Sequence, residues 1–101
     1  MPEVVITEPA KMDMVEIQDY LLHRLFNPLA LENLKQAVLR AFHVLETSPE
    51  AYPECDDPRL RASGYRKCVL GGYLFVYKIS EDGNVYVVRF FHGSQNWQQY
   101  L

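Results

Sequence analysis

Apolar residues recur at a helical period in the first half of the chain and at a period near two in the last third. Val4, Val5 and Ile6 form a short opening strand, ended by Thr7-Glu8-Pro9. Pro9 suits the first turn of a helix, where its missing N–H is not needed. Ala10, Met14, Ile17, Leu21 and Leu25 then recur at spacings of four and three, which predicts one helix over about residues 9–26. Asn27-Pro28 stops it and restarts the chain, Asn27 as a cap and Pro28 at the first helical position. Leu31, Leu34, Val38, Ala41 or Phe42, and Leu45 stripe a second helix, ended by Ser48-Pro49. Two helices joined by so short a link form an antiparallel hairpin.

Residues 47–64 read as an irregular connection: the stretch holds three prolines and few aliphatic residues. Beyond it, Tyr65–Leu70, Tyr73–Ser80 and Val85–His92 are rich in aromatic and β-branched residues. Gly71-Gly72 and Glu81-Asp82-Gly83-Asn84 separate them with hairpin-turn chemistry. A three-strand meander cannot bury one face alone, and neither can a helical hairpin. Packing one on the other gives an α+β fold of order β-α-α-β-β-β, a helical hairpin on a small, mainly antiparallel sheet. Strand one is free to join the meander's edge. Trp97, Tyr100 and Leu101 are the apolar anchors of a polar tail.

With 101 residues the chain makes one domain, residues 1–101. No apolar run approaches the length of a spanning helix, so no membrane partner is expected. The opening MPEVVITEP has acids where a secretory signal would carry lysines, which points to a cytoplasmic location. There Cys55 and Cys68 are expected as free thiols. Two cysteines and three scattered histidines supply no zinc motif, so neither metal nor cofactor is expected. The net charge of −3 hides an asymmetry. Residues 1–58 carry eleven acids against four bases, net −7; residues 59–101 carry six bases against two acids, net +4. A basic C-terminal part fits either an acidic partner or neutralisation within the fold.

No phosphate loop, dinucleotide pattern, nucleophile elbow or helical zinc pair is present. What remains is a group of cations and rings on and around the predicted sheet. Arg66, Lys67, Lys78 and Arg89 lie on strands, Arg59 and Arg61 precede them, and Tyr73, Tyr77, Tyr86, His92, Trp97 and Tyr100 are near in sequence. Such a mixture suits phosphate or RNA, and strand tyrosines equally suit plain cross-strand packing. His92 has a side chain fit for general acid–base work. His23, His43 and the Asp56-Asp57 pair carry no catalytic signal.

The order and wording of these elements resemble the RelE/ParE superfamily of toxins from bacterial type II toxin–antitoxin modules. The likeness runs along nearly the whole chain and is most specific in YRKCVLGGYLFVYKISEDGNVYVVRFFHGSQNW. It implies a small toxin neutralised by a cognate antitoxin protein. ParE-like members inhibit DNA gyrase; RelE-like members cut messenger RNA on the ribosome without a metal. For the RNA-cutting branch, Arg66 and Tyr100 match expected positions and His92 would supply base chemistry. Cys68, Leu74 and Ser94 stand where cations are expected, and each lost electrostatic donor removes roughly 3 kcal/mol of transition-state stabilisation. The resemblance therefore leans toward a ParE-like toxin acting on gyrase, with Arg59, Arg61, Arg66, Lys67, Arg89, Trp97 and Tyr100 as partner-binding candidates. A ribosome-dependent endoribonuclease using Arg66, His92 and Tyr100, or a non-toxic binding module of the same fold, are the alternatives. The partner surface requires that these cations lie free on the sheet face opposite the helices.

Overall fold

A computed structural model describes residues 2–101. Its elements are β1 (Val4–Ile6), α1 (Glu8–Asp19), one π-helical turn (Tyr20–Arg24), α2 (Pro28–Thr47), α3 (Pro58–Ala62), β2 (Arg66–Leu70), β3 (Tyr73–Ile79), β4 (Val85–His92) and a 3-10 turn (Trp97–Tyr100). The four strands form one sheet in the order β1-β4-β3-β2, antiparallel except for β1, which runs parallel to β4. This is the α+β arrangement expected from the change of period. Asn27 caps α2 by accepting from the Ala30 N–H, with Pro28 in its first turn, as the dipeptide predicts. Gly71 and Gly83 carry the positive φ their hairpin turns require.

Both faces of the sheet are covered. Against the helices lie Cys68, Phe75, Tyr77, Val85, Val87 and Phe90, packed on Ala10, Leu21, Leu31, Leu34, Val38, Ala41 and Leu45. On the other face Leu74, Val76 and Phe91 pack with Cys55, Leu60 and Trp97 in a second, smaller core. A bulge in β4 lets one strand serve both. Val76 pairs with Arg89 and Tyr77 with Val87, so Val88 is an extra residue. Odd positions (Val85, Val87) face the helices before it and an even position (Phe90) after it.

Because β1 ends at Ile6, the edge of β4 beyond Val87 has no strand to pair with. Thr7 and the first helix satisfy it instead. The Thr7 hydroxyl donates to the Val87 and Val88 carbonyls, both at 3.0 Å, and caps α1 at the Ala10 N–H. Asp13 accepts from the Phe90 N–H at 3.0 Å.

Three expectations are corrected. Residues 47–64 are ordered and in part regular: Pro58–Ala62 is helical, and Glu54 bridges Arg66 at the edge of β2. The first helix does not stay α-helical to residue 26. The Leu25 N–H reaches back five residues to the Tyr20 carbonyl at 3.0 Å. A π turn of this kind rotates the residues beyond it by about 100° relative to an α-helix, so Leu25 leaves the apolar stripe and is exposed. Finally, the sheet face opposite the helices is no open cationic surface, because α3 and the C-terminal turn cover its centre.

Candidate functional site

The cations named from the sequence are held by the chain itself. Arg59 donates to the Leu101 carbonyl at 2.8 Å and the Gln98 carbonyl at 2.9 Å, tying the C-terminal turn to α3. Arg61 donates to the Cys55 carbonyl at 3.2 Å. Lys67 lies 3.7 Å from an Asp56 carboxylate oxygen and 6.0 Å from the centre of the Trp97 ring. Arg66 donates to the Tyr52 carbonyl at 2.8 Å and sits 3.8 Å from Glu54, so it pins the 49–54 loop. Trp97 is buried in the second core, whereas Tyr100 is about half exposed.

Arg89 has the strongest partner. It meets Asp13 of α1 through two parallel hydrogen bonds, 2.6 Å from Nε and 2.9 Å from Nη2. That fork geometry is the most favourable one for an arginine–carboxylate pair, and it raises the guanidinium pKa above its ordinary value. The Arg89 head also lies 5.1 Å from the Phe91 ring centre and 6.0 Å from that of Tyr100. Arg89, Phe91, Trp97 and Tyr100 thus form one aromatic–cation cluster, with Phe91 stacked on both other rings.

Arg66, His92 and Tyr100 do not converge. Arg66 pairs with Tyr77 and His92 with Tyr73, four residues apart on β3, or about 13 Å along the strand. Tyr100 stacks on Phe91, on the opposite face. His92 accepts the Ser94 N–H at Nδ1, at 3.2 Å, and the Ser94 hydroxyl sits on the same nitrogen. In the neutral ring the proton is then on Nε2, and the basic lone pair is turned into its own loop.

A cleft and a trough flank α1. An open cleft of about 530 Å³ is lined by Asp13, Glu16 and Tyr20 of the first helical segment, by Tyr73, and by Arg89–His92, Ser94 and Gln95. A trough of about 370 Å³ runs between α1 and α2, floored by Met14, Val38, Phe42 and Phe90 and rimmed by Lys11, Val15, Lys35 and Leu39. The sequence reading missed Asp13 and Glu16. A carboxylate at residue 13, between Ala10 and Met14 on the buried stripe, is the one signal that pointed to Asp13. Among the described residues no group of three or more His, Cys, Asp or Glu side chains is placed to hold a metal ion.

Two solved structures share this arrangement. One, from the chromosomal ParDE toxin–antitoxin system of P. aeruginosa, matches with a TM-score of 0.70 at 17% identity, over 91% of this chain and 96% of that one. The other, from the RelBE2 toxin–antitoxin complex of Mycobacterium tuberculosis, matches with a TM-score of 0.61 at 20% identity, over 91% and 99%. At these identities the likeness is one of fold. No curated protein matches the sequence. The profile of the family described as "ParE toxin of type II toxin-antitoxin system, parDE" matches residues 4–97, and the chain belongs to that family.

Proposed function

We propose that this ParE-family chain arrests growth by protein–protein contact with DNA gyrase in the cytoplasm, and that a cognate antitoxin neutralises it. The family match spans both cores. The observation that carries the choice of mechanism is the separation of Arg66, His92 and Tyr100. Metal-independent RNA cleavage needs a base, a charge stabiliser and an acid around one phosphate. Here Arg66 is engaged by loop carbonyls, and the His92 lone pair by Ser94. Arg89 and the half-exposed Tyr100 remain as partner-contact candidates, side by side at the sheet edge. Arg59 and Trp97 support that surface by holding the C-terminal turn, while Arg61, Arg66 and Lys67 fasten the 50–56 loop at the β2 end of the sheet.

The antitoxin lies, on this reading, in the trough between α1 and α2. Its apolar floor and the Lys11 and Lys35 rim suit an amphipathic helix with acidic flanks. Purified chain at micromolar concentration is expected to inhibit gyrase supercoiling, and added antitoxin to relieve the inhibition; absence of inhibition overturns the gyrase target. Codon-positioned breaks in transcripts after induction would return the chain to the RNA-cutting branch.

A further inference from the structure

The tip of the helical hairpin combines two local features that ordinary helix endings avoid. The π turn at Tyr20–Arg24 is a rare backbone form that is frequent at functional sites. Phe26, just beyond it, has φ +49°, the only positive φ at a non-glycine position among the described residues. That left-handed position closes the helix end, the Asn27 N–H donating to the Leu21 carbonyl at 2.8 Å, and glycine or asparagine normally fills it. A phenylalanine there is strained, and its ring gains no burial in return. Phe26 is 79% exposed, with Leu29 at 68% and Leu25 at 51% beside it.

We infer that this tip is the anchor with which the chain grips its target protein: Phe26, Leu25 and Leu29 enter an apolar pocket whose rim offers acidic groups to Arg24. The inference rests on the reading as a toxin acting by protein contact, and it adds which part of the surface makes the contact. The three residues expose at most roughly 400 Å², taking ~200 Å² as the full exposure of a large residue. That is the size of the largest apolar patch on a typical monomer, which is often a functional surface, and here it coincides with the strained Phe26 backbone.

Area and shape decide against a second copy as the occupant. Two such knobs meeting touch only at their apices, which caps the contact at about 800 Å² in total, below the ~1,200 Å² of a stable specific interface; a concave partner buries the same patch and adds contacts around its rim. A concave pocket on a larger partner does accept a central aromatic anchor. Charge sets the rim. His23 is matched by Asp19, whereas Arg24 has no ion pair among the described residues. The trough assigned to the antitoxin is lined by other residues, so the two surfaces are separate.

The test uses the full chain with Phe26→Asn, which accepts the left-handed backbone, Leu29→Ser, and Met12→Ser as an exposed apolar control on the other end of α1. Each is measured for melting temperature, gyrase supercoiling inhibition, growth arrest on induction and binding of the antitoxin. The expected result is at least a tenfold loss of inhibitory potency and loss of growth arrest for the two tip variants. Their antitoxin binding stays unchanged, the melting temperature of Phe26→Asn equals or exceeds that of the parent, and Met12→Ser keeps full potency. Potency within threefold of the parent in both tip variants overturns the inference, as does loss of antitoxin binding or loss in Met12→Ser to the same degree. So does parent chain that sediments with anionic phospholipid vesicles while Phe26→Asn does not, because the tip then serves a membrane. Parent chain that arrests growth without touching gyrase, with arrest lost in the tip variants, removes the gyrase reading and keeps the anchor. Parent chain that does neither overturns both.

Discussion

Asp13 holds three donors at once, two from Arg89 and one from the Phe90 backbone. Removing one partner of a part-buried ion pair leaves the other charge desolvated. Asp13→Ala is expected to lower unfolding free energy by about 2 kcal/mol in a denaturant titration, a value reduced for the partial exposure of Arg89. Burial pushes the Cys68 thiol up to about 11 and the Tyr77 phenol up to about 12, from ordinary values of 9.0 and 10.0. Linkage sets the sign: above pH 9 the unfolded chain gives up these protons first, so stability falls as pH rises. It is fully present below pH 9 and lost by the time the folded groups ionise, near pH 11 to 12. Melting temperatures measured from pH 7 to 10.5 are expected to be level at first and then to decline, and Cys68→Ala to remove part of the decline. Both cysteines are buried, one in each core, and are expected to react with a thiol reagent only after denaturation. Free thiols were legible from composition. The Asp13–Arg89 pair was not, because its members are 76 residues apart and only the fold brings them together.

Among the elements, the second helix could be read from its single apolar stripe, and the strands from aromatic and β-branched runs between standard turn signals, β3 being apolar on both faces. The order in the 47–64 segment could not. It comes from two distant side chains, Arg66 on the Tyr52 carbonyl and the Tyr77 hydroxyl on the Pro49 carbonyl at 2.8 Å. Tyr77→Phe removes one such bond and is expected to cost about 1 kcal/mol. It should also speed proteolytic cleavage within residues 48–56, read by the sites of limited digestion. Thr7 has more depending on it, as helix cap and as donor to two carbonyls of the unpaired β4 edge. Thr7→Ala is expected to cost about 2 kcal/mol, with increased amide exchange at the start of α1. The π turn was equally out of reach of pattern reading, because Leu25 fits the α-helical spacing and leaves it only through backbone geometry.

At the scale of the molecule, the sequence reading placed the helices on the correct side and left the other side bare. A 3-10 turn of four residues was too short to show a period, yet it brings Trp97 onto Phe91 and completes a second core. Trp97→Ala is expected to lower stability by about 3 kcal/mol and to loosen β2 and α3 together in hydrogen exchange. The cations are the counterpart of that lid: their charge, counted as a partner's landing surface, is largely used to fasten loop and tail. The supernumerary Val88 has a consequence for how this chain can change over generations. It acts as a phase shifter, and losing that single codon would put every later residue of β4 out of step. Phe90 and Phe91 would trade sides, Arg89 would swing away from Asp13, and both hydrophobic layers would fail together. Insertions and deletions in this gene are thus tolerable in its turns and ruinous within a window of a few codons around residue 88.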